Sequence, residues 1–85
     1  MMSEVVFDVV KYLTEQKSNG QSIEVFVADR KDFRIFTVYL TADDEFQKSY
    51  SIGYEKLACT NDIKKTVDAI LKDFIATHKE HLKLN

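Results

Sequence analysis

Apolar residues recur at helical spacing toward the end of the chain. Ile63, Val67, Ile70, Leu71, Phe74 and Ile75 follow one another at steps of four, three, one, three and one, the stripe of a 3.6-residue period. Lys64, Lys65, Asp68, Lys72 and Asp73 fall between them, on the side expected to meet solvent. Asn61 is the expected N-cap, and Asp62 stands where the helix dipole favours an anion. Lys72, Lys79 and Lys83 gather toward the other end, which favours cations. The pattern predicts a helix over 61–82, with Leu82 and Leu84 extending or fraying its last turn.

A second helical period opens the chain. Glu4, Asp8, Lys11 and Glu15 fall on one stripe, with Val6, Val9, Val10 and Leu13 opposite. This predicts a helix over 3–16, capped by Ser3 and stopped by Lys17-Ser18-Asn19-Gly20, with Gly20 free to take the left-handed position.

Between the helices the period changes to two. In 21–28, Ile23, Val25 and Val27 alternate with Ser22, Glu24 and Phe26, the pattern of a strand. Asp29-Arg30-Lys31-Asp32 reads as a polar four-residue turn, and 33–40 as a second strand. That loop pairs Ala28 with Phe33, Val25 with Phe36 and Ile23 with Val38. Thr41-Ala42-Asp43-Asp44-Glu45 makes the next turn, and 46–54 is a third strand with Leu40 opposite Phe46. The register collects Ile23, Val25, Val27, Phe36, Val38, Leu40, Phe46, Tyr50, Ile52 and Tyr54 on one face. The expectation is a single α+β domain over 1–85 in α-β-β-β-α order. Its three-stranded antiparallel meander sheet is packed by two helices, most economically on the apolar face.

The opposite face has its own pattern. The third strand is polar there, but the register sets Phe26 directly across from Ile35, with Phe33 and Tyr39 nearby. An apolar cluster on a face that no helix covers marks an interaction surface. Phe26, Phe33, Ile35 and Tyr39, together with the acidic turn Asp43, Asp44 and Glu45, are therefore the candidate partner-binding residues.

Composition narrows the function classes. In 85 residues, 45% are hydrophobic and 31% charged, as in ordinary globular domains. A net charge of −2 and a pI near 5.6 give no electrostatic footprint for nucleic acid or an anionic membrane. Cys59 is alone, so neither an internal disulfide nor a cysteine metal cluster is expected, and a reducing, cytoplasmic setting is. No apolar run approaches the length of a membrane span. The first residues carry no signal-peptide pattern, and the chain reads as complete.

Motifs for chemistry are scarce. There is no P-loop, GxGxxG or GxSxG, and two glycines cannot build a phosphate cradle. Cys59 with His78 or His81 is a conceivable nucleophile and base, set against Cys59 as a small buried residue in an apolar connection. His78 and His81 are three apart on a helix, but zinc takes three or four protein ligands and no second cluster supplies them. Residues near a helix C-terminus, favoured by its dipole, are the plainer reading. Asp43-Asp44-Glu45 lacks the spacing and glycine of a calcium hand and reads as a solvated turn that discourages edge pairing. No catalytic residue, metal or cofactor is expected.

The α-β-β-β-α order resembles the double-stranded RNA-binding domain. The resemblance implies phosphate contacts by lysines at the start of the last helix, where Lys64 and Lys65 stand. The loop that carries a glycine-proline-x-histidine element in that family reads Asp29-Arg30-Lys31-Asp32 here. Size and topology are also similar to certain stand-alone inhibitors from phages and mobile elements, including anti-CRISPR proteins. That likeness implies a small non-enzymatic protein that binds and blocks a host nucleic-acid enzyme. The leading expectation is a protein partner, either such an enzyme or a second copy in a homodimer, with no nucleic acid and no membrane. A double-stranded RNA-binding-like module is the alternative.

Overall fold

A computed structural model of the chain describes residues 7–43 and 45–84. Its elements are helix α1 (Val9–Thr14) and strands β1 (Lys17–Ser18), β2 (Gln21–Asp29), β3 (Phe33–Leu40) and β4 (Gln47–Gly53). A single turn α2 (Tyr54–Leu57) and the long helix α3 (Thr60–Leu84) follow. The four strands form one antiparallel sheet in the order β1-β2-β3-β4. The fold is α+β as expected, but the three-stranded meander in α-β-β-β-α order is corrected by one strand and one helical turn.

Both corrections have local causes. Asp8 has extended backbone angles, and its carboxylate accepts a hydrogen bond from the Lys11 N–H at 3.1 Å. It therefore caps α1, and the helix starts at Val9 rather than at Ser3, which lies outside the described residues. The helix also ends early, at Thr14. That leaves Lys17 and Ser18 free to pair with Ser22 and Gln21 across Asn19-Gly20. Both turn residues are left-handed, with φ of 49° and 86°. This is the geometry that Asn-Gly supplies to a two-residue hairpin. The segment read as a helix stop is thus a strand and its turn. At the other end, Tyr54 begins α2, and α3 starts at Thr60, which places Asn61 inside the helix rather than at its cap.

The β3–β4 register agrees with expectation: Phe36 faces Tyr50 and Tyr39 faces Gln47. The β2–β3 register does not. The Arg30 N–H donates to the Phe33 carbonyl at 2.9 Å, so the tight turn is Lys31-Asp32 alone. Ile23 then pairs with Leu40, Val25 with Val38 and Val27 with Phe36, two residues from the expected partners. A slip of two leaves every side chain on its face, because strand side chains alternate with a period of two. The predicted core therefore survives the error. Phe26 changes partner, facing Thr37, while Ile35 faces Ala28 and Ser51.

One apolar cluster fills the space between the sheet and its helices. Val9 and Leu13 of α1 join Ile23, Phe36, Val38, Leu40, Phe46 and Ile52, and Ile63, Val67, Ile70 and Phe74 of α3 close it. The two longer helices thus lie on the same face of the sheet, as economy predicts. Two polar clamps flank α3. The Tyr12 hydroxyl donates to Asp68 at 2.5 Å, and Lys64 reaches the same carboxylate at 2.9 Å. On the β4 side, Lys48 (2.7 Å) and the Tyr50 hydroxyl (2.6 Å) both donate to Asp73. Asp68 and Asp73 stand on the solvated side, as periodicity predicts, and from its edges they also serve as the shoulders by which α3 grips α1 and β4. Among the described residues, no helix is long and apolar enough to cross a membrane.

Candidate functional site

With α1 and α3 on one face, the other face of β2, β3 and β4 has no covering layer among the described residues. Phe26 is 64% exposed and Phe33 36% exposed, while Ile35 and Tyr39 are half-buried among their neighbours. The pleat explains the arrangement. Residues 24, 26 and 28 of β2 share this face with 33, 35, 37 and 39 of β3 and with 47, 49, 51 and 53 of β4. Phe26, Thr37, Tyr39 and Gln47 line a shallow depression of about 380 Å³. Ile35 is diagonal to Phe26, within reach of an aromatic ring on the same face. Phe33 stands apart, roughly 20 Å along the strand from Tyr39. It faces Gly53, which has no side chain to cover it.

Apart from Glu24, the polar residues of this face of β2, β3 and β4 are neutral. Thr37 and Ser49 share a hydrogen bond of 2.9 Å across the strands. Glu24 is the only charge on the outer positions of β2, β3 and β4, and Lys17 stands at the corner with its ammonium 3.3 Å from the Ser22 hydroxyl.

The acidic turn does not belong to this face. Asp43 turns toward α3, with its carboxylate 3.6 Å from His81 Nε2, and accepts the Glu45 N–H at 3.2 Å. Glu45 is exposed, and Asp44 lies outside the described residues. The turn is solvent-exposed, as expected, and Asp43 within it also faces the end of α3. It lies beyond the Tyr39 end of the sheet, away from Phe33. The seven candidate residues thus do not form one patch: Phe26, Ile35 and Tyr39 cluster, Phe33 marks the far end, and Asp43 faces the helix layer.

His78 is a residue whose place the sequence reading missed. It is 1% exposed, and its Nδ1 shares a 2.7 Å hydrogen bond with the hydroxyl of Ser18, itself fully buried. The Asn19 amide lies 3.2 Å from the same nitrogen and donates to the Ile75 carbonyl at 3.3 Å. Phe46 stacks at 5.3 Å and Phe74 at 6.4 Å between centroids. Burial, reinforced by nearby His81, pushes the imidazole below the ordinary histidine value, against the opposing pull of Asp43 and Ser18. The signal was available, since position 78 extends the 63, 67, 70, 74 series by one more step of four. A serine–histidine contact is also half of a hydrolase dyad, but neither group reaches solvent here. It is a structural bond between α3 and the β1 hairpin.

Cys59 is exposed rather than buried, and its thiol lies 3.5 Å from Asp62. It precedes the first turn of α3, and His78 is eighteen residues beyond Thr60, a rise of roughly 27 Å. That separation excludes a Cys59–His78 pair, and His81 is farther still. No group of three or more His, Cys, Asp or Glu that could hold a metal occurs among the described residues. No protein-family model, curated protein or solved structure matches this chain.

Proposed function

We propose that the chain is a protein-binding domain and that its uncovered sheet face is the contact surface. The observation that carries this reading is the combination of exposed aromatic side chains with missing charge. In a chain that is 31% charged, the outer positions of β2, β3 and β4 hold Glu24 alone. Depletion of charge around aromatic anchors is the compositional mark of an interface core. Blocking a host nucleic-acid enzyme by covering its working surface is the sharpest form of this proposal, and a second copy packed sheet to sheet is its simplest.

Direct duplex RNA binding is the weaker proposal. The Lys64 ammonium is engaged by Asp68 and lies 5.1 Å from the centre of the Tyr12 ring. Of the two lysines that the resemblance would place on phosphates, Lys64 is ion-paired, and Lys65 makes no ion pair among the described residues.

Phe26→Glu tests the proposal. Phe26 is the most exposed of the cluster, so the variant is expected to keep its melting temperature within about 2 °C, as surface substitutions do. It should lose sheet-to-sheet dimerisation in sedimentation equilibrium, or capture of the partner bound by the unaltered chain. Dimerisation or capture undiminished in a folded Phe26→Glu chain would refute the assignment of this face.

A further inference from the structure

Among the described residues β4 pairs with β3 alone, over all seven residues of Gln47–Gly53, and its other side is a sheet edge. Three hydrogen bonds at the ends of the ladders show where its backbone groups point. The Arg30 N–H donates to the Phe33 carbonyl at 2.9 Å and the Thr41 N–H to the Ser22 carbonyl at 3.2 Å, so the odd residues of β3 bond toward β2. The even residues of β3 therefore bond toward β4. The Tyr54 N–H, on the Asp32 carbonyl at 3.3 Å, starts that ladder, and alternation carries it through Ile52, Tyr50 and Lys48. The odd set is left over. The N–H and carbonyl groups of Gln47, Ser49 and Ser51 point away from the sheet, and no other backbone group among the described residues bonds to them. We propose that a second copy of the chain joins at this edge, β4 against β4 antiparallel, so that two four-stranded sheets run on as one.

Sheet edges are ordinarily blunted against such pairing. The opposite edge is: β1 is two residues long and carries Lys17. β4 has no proline, its pairing with β3 runs without a bulge, and its outer side chains, Gln47, Ser49, Ser51 and Gly53, are exposed and uncharged. A charge pointing inward is a further device against edge pairing, and Lys48 is one. Its ammonium is matched by Asp73 of its own chain at 2.7 Å and lies 5.6 Å from the centre of the Tyr50 ring. The acidic turn lies beyond the paired residues, and Asp43 within it faces α3.

The register follows from the same parity, because only odd residues can exchange bonds across the seam. A two-fold axis at Tyr50 uses the whole strand. Ser49 then faces Ser51 of the other copy, Gln47 faces Gly53, and the two Tyr50 residues form a close pair that exchanges no hydrogen bonds. Lys48 meets Ile52, and the two lysines stand roughly 14 Å apart along the seam. A shift of two residues one way brings them to roughly 7 Å. A shift of two the other way sets Gln47 against Glu55, past the end of the strand. The outer faces of both copies point to the same side, so the pairing leaves the Phe26 cluster uncovered and does not depend on its use.

Amide exchange of the full chain, read by NMR, separates this pairing from any contact of the outer face. A seam of one strand is small beside the interfaces of tight complexes, so a dissociation constant of about 0.1 mM is expected. The unpaired fraction then falls from about 0.8 at about 50 µM chain to about 0.2 at about 1 mM. Exchange of the Ser49 and Ser51 amides should slow about fourfold over that range, with Lys48, Tyr50 and Ile52 protected throughout. Ser51→Pro removes only an outward N–H, which an edge position tolerates, and should abolish the slowing at Ser49. If that variant does not fold, Ser49→Lys with Ser51→Lys replaces it, setting like charges directly across the seam to the same effect. Ser49→Lys with Ser51→Glu sets opposite charges there and should slow exchange further. Exchange at Ser49 and Ser51 that is independent of concentration overturns the proposal, whether the chain stays monomeric or pairs through its outer face. So does equal slowing in the two charge variants. Phe26→Glu should leave the slowing unchanged, and loss of it there gives the contact to the outer face instead. The Phe26→Glu test of that face is read in the Ser51→Pro chain, or in the doubly lysine-substituted one, so the two surfaces succeed or fail separately.

Discussion

Replacing Phe74 with alanine probes the packing that joins α3 to the sheet. The ring is fully buried, 5.2 Å from Phe46 and 6.4 Å from His78 between centroids. A buried phenylalanine withdraws roughly 150 Å² or more from water, which at about 25 cal/mol per Å² is worth about 4 kcal/mol. The retained Cβ lowers the loss, and the cavity left under α3 raises it, so about 3–5 kcal/mol is expected. Collapse around the void is opposed by the polar clamps at Asp68 and Asp73, which hold the helix at its present height over the sheet. Domains of this size have about 4–13 kcal/mol of stability in all, at 0.05–0.15 kcal/mol per residue. Phe74→Ala should thus remove a large share of it. Urea denaturation followed by far-ultraviolet circular dichroism is the assay, with a slope of about 1 kcal/mol per molar giving a midpoint shift of several molar. A loss below about 1 kcal/mol at unchanged slope would refute the packing, since a fully buried ring cannot be removed so cheaply.

Two further outcomes follow from the other anchors of the fold. His78 has a folded-state value below that of the unfolded chain, so the unfolded state binds more protons as pH falls below about 6.5. Stability is therefore fully present above that pH and lost as pH drops toward the lowered folded value. Thermal melts of His78→Gln should show a flatter profile between about pH 5 and 7, and an unchanged slope would remove His78 as the cause. Gly20→Ala forces a side chain into a left-handed conformation with φ of 86° and should cost about 1–2 kcal/mol by urea denaturation. No measurable cost would mean that the β1 turn is not the type described.

How far the sequence reached depends on how local each decision is. The α3 stripe, the strand alternation and the β3–β4 register follow from periodicity and loop length, and all three agree with the structure. The β2–β3 register was read two residues out, because Asp29-Arg30-Lys31-Asp32 closes either as a four-residue loop or as a two-residue turn. Pleat parity carried the core and the outer face through that error intact. Asn19-Gly20 serves equally as a helix stop and as a hairpin turn, and the choice rests on whether Lys17 and Ser18 find a strand to pair with. What only the tertiary structure decided is the fate of polar residues. Asp68 and Asp73 become clamps because Tyr12, Lys48 and Tyr50 stand opposite them, and His78 is buried because Ser18 offers it a bond. Asp43 joins the helix layer rather than the sheet face for the same kind of reason, having His81 within reach. Hydrophobic period fixes which side of an element faces inward. A polar group's partner lies tens of residues away in the chain, and its identity exists only once the layers have come together.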